Sequence, residues 1–125
     1  MNDEIITRLK EIKIEEYIWI IYLGIIILRF YSNNLEKDYF LNKNEKSKEK
    51  YRDIMIIIFS ILVIVYYYFL KSSIDDLKNI DNYSEERKEK VILSFLGSLL
   101  IFISGLIFLY LAIKDENLDV ELAFN

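Results

Sequence analysis

The sequence predicts an all-α membrane protein: three transmembrane helices with an N-terminal amphipathic helix, in one integral-membrane domain covering residues 1–125. Three observations carry this. Residues 91–113 run for 23 positions without a charge, and at about 1.5 Å per residue such a helix reaches roughly 34 Å, enough to cross a hydrocarbon core of about 30 Å with some tilt. Hydrophobic residues make up 54% of the chain and charged residues 29%, yet the two alternate in blocks, whereas a soluble helix carries both kinds on opposite faces. Proline is absent, so nothing obvious kinks or breaks the apolar segments.

Residues 3–16 predict an amphipathic helix, with Ile5, Ile6, Leu9 and Ile12 on one side at helical spacing. Such a helix either lies in the membrane interface or simply extends the next one. The opening residues hold more acids than bases, and no small-residue cleavage site follows the first apolar run. A cleaved signal peptide is therefore not expected, and the segments should stay in the mature protein.

Residues 17–31 are the first and weakest span. Arg29 interrupts the run, and 15 residues give only roughly 22 Å of helix. Arg29 is expected to extend its guanidinium to the lipid headgroups from near the helix end. Tyr17, Trp19, Phe30 and Tyr31 would mark the interfaces. Ser32, Asn33 and Asn34 are expected to end the helix. A short element around Leu35, Tyr39 and Phe40 then leads to a basic cluster that includes Lys46, Lys48, Lys50 and Arg52. Together with Arg29 these are the expected headgroup contacts, either on anionic lipid or as a solvated helix end.

The second span covers residues 53–71 and is charge-free over 54–70. Its β-branched content suits a strand in water, but in lipid a helix alone satisfies its own backbone. Ile74, Leu77 and Ile80 continue the helical spacing. Ser84, followed by Glu85 and Glu86, is the expected cap of the third helix. The acidic tail, 114–125, alternates Leu118, Val120, Leu122 and Phe124, a period that suits an extended strand or a frayed end.

Composition narrows the chemistry. Cysteine and histidine are both absent, which removes disulfides, thiolate sites and the commonest general base and metal ligand. The charge of -4 is dispersed, whereas a nucleic-acid binder shows a dominant basic face. The charge-free runs 54–70 and 91–113 carry no acidic or basic residue, which disfavours proton relays and ion-coupled transport. Neither cofactor nor enzymatic activity is expected. Lys and Arg number eight on each side of the membrane when Arg29 is counted with the first connection. The first span tips the orientation toward N-terminus outside. Abundant Ile, Lys, Asn and Tyr point to an AT-rich, bacterial coding sequence.

Small residues distinguish the third span. Ser98, Gly105 and Ala112 recur every seven positions, Gly97 and Ser104 repeat the spacing beside them, and Ser94 lies one turn before Ser98. Small residues let helices pack closely in lipid, where no hydrophobic force drives them together. The stripe is expected to receive either the other helices of the chain or a neighbour. The expected function is therefore a non-enzymatic accessory or interaction protein of the cell membrane. Its partners would be the bilayer and either its own copies (a homo-oligomer) or a larger membrane complex, with no nucleic acid. In size, span count and N-out arrangement the chain also resembles phage holins, which implies a membrane-permeabilising oligomer, although its acidic tail departs from their usual basic end. A membrane immunity protein is a related alternative.

Overall fold

The computed structural model describes residues 2–119, which form three long antiparallel helices: α1 (Asp3–Asn42), α2 (Glu45–Lys78) and α3 (Glu85–Lys114), with a 3-10 turn at Ile80–Asn82. No strand occurs among the described residues. α2 and α3 are each long and apolar enough to cross a membrane.

The 40 residues of α1 form one uninterrupted helix. The expected amphipathic helix, 3–16, and the expected span, 17–31, are therefore two parts of the same rod. Asn2 caps its start, the side chain accepting from the Glu4 N–H at 2.8 Å. The expected stop at Ser32, Asn33 and Asn34 does not occur. Ser32 donates to the carbonyl of Arg29 at 3.0 Å within its own helix, and Asn33 accepts from the Arg29 guanidinium. With those polar groups satisfied sideways, they no longer compete with the helical backbone. The helix ends instead at Lys43, which adopts the left-handed conformation with φ 52°, a common way to close a last turn. Asn44 then caps α2 by accepting from the Lys46 N–H.

Ser84 begins α3 as its sequence predicts, accepting from the Arg87 N–H at 3.3 Å. Beyond α3 the chain turns at Leu118, whose φ is 55°, and the Leu118 side chain rests on the core. The Asp119 N–H donates to Asp115 Oδ1, so 115–119 form a turn. The alternation at Val120, Leu122 and Phe124 lies outside the described residues.

α2 is the centre of the assembly. It packs against both α1 and α3, and no Cα of α1 comes within 8 Å of one of α3. The buried residues of α2 recur at helical spacing: Tyr51, Met55, Ile58, Phe59, Leu62 and Val65. From α1 only Ile18, Ile25, Arg29 and Ser32 are buried, and from α3 only Gly105 and Ala112. Among the aromatic contacts, Phe59 stacks on Phe108 at 5.8 Å between centroids.

Gly105 sets the approach of α3 to α2. A Cβ there would meet Tyr66 Cδ2 at 2.9 Å and Val63 Cγ2 at 3.4 Å, whereas one at Gly97 would meet nothing within 4 Å. Gly105→Leu is therefore expected to cost about 1–3 kcal/mol by overpacking and to lower the unfolding temperature in detergent. Gly97→Leu should leave that temperature unchanged.

Candidate functional site

The C-terminal half of α1, the start of α2 and the end of α3 meet at one end of the molecule, and polar side chains gather there. Arg29 lies at its centre and is only 9% exposed. Its Nη1 donates to Ser32 Oγ and to Met55 Sδ at 3.1 Å, and its Nη2 to Asn33 Oδ1 at 2.8 Å. The Tyr51 hydroxyl donates to the Glu36 carboxylate and accepts from Arg29. Arg29, Ser32, Asn33 and Glu36 are spaced i, i+3, i+4, i+7, so one helical face delivers them all. Burying the guanidinium beside several acceptors limits the desolvation cost that an isolated buried charge carries.

Arg52 ties the third helix into this junction. Its Nη2 donates to the carbonyl of Ile113 at 3.0 Å, satisfying one of the carbonyls that a helix end leaves without a partner. Its buried Nε has no hydrogen-bond partner among the described residues. Beside it lies a cavity of about 20 Å³ bounded by Glu36, Tyr51, Arg52, Met55, Ala112 and Asp115.

The turn between α1 and α2 has its own anchor. Asp38 accepts from Asn42 at 2.7 Å, from Asn44 at 2.8 Å and from the Ser47 hydroxyl. The bonds from Ser47 and Asn42, with that from Asn44, hold its carboxyl below the ordinary value of 3.8.

Two clefts flank α2. One, of about 580 Å³, is lined by α1 and α2 residues, with Trp19, Tyr22, Ile26 and Leu62 as walls and Arg29 and Asn33 at the polar end. The other, of about 330 Å³, adjoins it at Tyr22 and Tyr66 and extends between α2 and α3 around Ser73, Asp76, Ser94 and Ser98. There the Ser73 and Ser98 hydroxyls are 3.0 Å apart. No group of three or more acidic residues that could hold a metal occurs among the described residues. The junction can fix helix ends and orient a guanidinium.

The predicted residues divide cleanly. Ser98, Gly105 and Ala112 face α2, with Gly105 and Ala112 buried. Gly97 and Ser104 are exposed, and Ser94 is exposed at the rim of the α2–α3 cleft. Of the expected headgroup contacts, Lys46 and Lys50 are exposed. The Lys48 ammonium lies 5.2 Å from the centre of the Tyr39 ring and 3.8 Å from Glu45. Arg52 serves α3, and the Arg29 guanidinium turns inward, where Ser32, Asn33 and Met55 accept from it. Tyr51, Glu36 and Asp115 were not singled out from the sequence. The i, i+3, i+4, i+7 polar stripe ending at Glu36 was the available signal.

Compared with known protein families, curated proteins and solved structures, the chain matches none.

Tyr51→Phe keeps the ring and removes the hydroxyl, leaving Glu36 and Arg29 each short of a partner. It should destabilise the protein by about 1–3 kcal/mol, read as a lower unfolding temperature in detergent. Asp38 titrates at lower pH in the folded protein than in the unfolded chain. Its contribution is complete above the ordinary aspartate range and is lost as pH falls through its lowered value. Amide exchange at residues 44–48, corrected for its intrinsic pH dependence, should accelerate in that acid range in the wild type. In Asp38→Asn it should be fast at every pH.

Proposed function

We propose that this is a three-span membrane protein that catalyses no reaction and acts by binding within the bilayer, to its own copies or to a larger membrane complex, through the outer face of α3. The observation that carries the reading is the division of the α3 small-residue stripe. Ser98, Gly105 and Ala112 are used against α2, while Gly97 and Ser104 remain open on a helix whose most apolar stretch is only 11% buried. A second helix could approach the open side closely, which is how helices gain contact in lipid.

Two features support α1 as the third span. Its residues 17–31 lie level with the apolar stretch of α2, since Arg29 contacts Met55 and Tyr22 shares a cleft with Leu62 and Tyr66. On its outer side Ile20, Leu23, Ile27 and Phe30 are all more than half exposed, an apolar surface of the kind that water disfavours and a bilayer accepts. Arg29, the residue that weakens this segment as a span, is hydrogen-bonded inside the protein. An inward-facing, partnered arginine is the form in which charge is tolerated at membrane depth. The N-terminus-outside orientation rests on the basic residues around this first span.

The chain has no native cysteine, so single-cysteine variants report cleanly. Ser104→Cys, oxidised in native membranes, is expected to give a disulfide-linked adduct, with itself or with a neighbour carrying an accessible thiol. The added Gly97→Leu change should reduce it severalfold. Phe108→Cys, on the α2-facing side, should give none. An equal yield from Phe108→Cys, or no adduct from Ser104→Cys alongside an unchanged size in mild detergent, contradicts the reading.

A further inference from the structure

We propose that the cleft between α1 and α2 binds one phospholipid with an anionic headgroup, its headgroup at Arg29 and Asn33 and one acyl chain along Trp19, Ile26 and Leu62. This rests on α1 lying in the bilayer. Three observations point to that occupant. The cleft is about 580 Å³, within the usual range for a small-molecule site. Its chemistry is graded along its length: apolar and aromatic walls lead to a single polar end. That end carries a guanidinium held in place by Ser32, Asn33 and Met55, so little ordering is required of it on binding.

Asn33 is the second headgroup donor. Its Oδ1 accepts from Arg29, which turns its amide Nδ2 away from the guanidinium, and that nitrogen has no partner among the described residues. Guanidinium and amide donors side by side match phosphate oxygens. A choline headgroup would bring its own cation toward Arg29, whereas an anionic headgroup does not. α3 does not close the cleft, because only α1 and α2 residues line it, so a lipid enters sideways from the bilayer.

Trp19, the only tryptophan in the chain, lines the cleft and is the probe. The full chain is reconstituted in phosphatidylcholine vesicles in which a fixed minor fraction of the lipid carries brominated acyl chains. That fraction is either phosphatidylglycerol or phosphatidylcholine, and quenching of Trp19 is compared. The choline cation brought toward Arg29 is expected to leave phosphatidylglycerol favoured by about tenfold in relative affinity, seen as stronger quenching at equal mole fraction. The excess should vanish in Arg29→Gln and in Asn33→Leu, the second at a half-buried position that tolerates exchange if Arg29→Gln fails to fold. It should persist in Lys46→Gln/Lys50→Gln, which removes exposed surface charge. Equal quenching by the two lipids in the wild type overturns the site while leaving α1 in the bilayer. So does an excess that survives Asn33→Leu or disappears with the surface lysines. Absence of quenching by either lipid places Trp19 outside the membrane and overturns the span as well.

Discussion

The structure depends on one helix being shared. α2 carries the run Tyr51, Met55, Ile58, Phe59, Leu62 and Val65 into the interior, and α1 and α3 each pack closely on it while no Cα of one comes within 8 Å of the other. A closed three-helix bundle would give each helix two neighbours and a common axis. Here the backbones of the outer helices come close only to α2, although Ile25 of α1 and Ala112 of α3 join one core cluster. The clefts beside α2 follow from that arrangement. So does the large apolar surface left on α1 and α3, which lipid can cover at little cost because it is as apolar as the side chains it meets.

Helices joined mainly by apolar contacts can slide. The polar junction at the hairpin end works against this. Arg29 on α1 bonds to Met55 on α2, Tyr51 on α2 bonds to Glu36 on α1, and Arg52 on α2 holds the last carbonyls of α3. Hydrogen bonds are directional where dispersion is not, so these few contacts fix the register of all three helices. At the other end of the α2–α3 pair, Ser73 and Ser98 provide a lighter version of the same restraint. Between them Gly105 brings the backbone of α3 close to the Tyr66 ring. Register and separation are thus set by different residues.

The identity of each helical segment was largely legible from local sequence. An uncharged run of helix-crossing length can be read without knowing its neighbours, and so can a serine cap followed by two glutamates. Partnership was harder to read. Ser32, Asn33 and Asn34 resemble a helix end because their side chains often bond backbone groups. What they bond here is decided by Arg29 one turn earlier, which converts a stop signal into a lateral one. Lys48 and Arg52 look like solvated juxtamembrane charges until Tyr39 and Ile113 are brought beside them. Likewise Ser98, Gly105 and Ala112 share their heptad spacing with Gly97 and Ser104, and no local feature says which half of the stripe meets α2.

The sequence by itself determined which stretches are helical and apolar, that α2 and α3 suit a membrane, and that His and Cys are absent. These follow from residue type and from periods of a few residues along one chain. The tertiary structure alone decided that α1 is one rod from Asp3 to Asn42, that Arg29 faces inward, and that α2 stands between helices whose own backbones stay more than 8 Å apart. Each depends on which faces meet, and pairing Arg29 with Met55, 26 residues away, is a contact that no local pattern encodes.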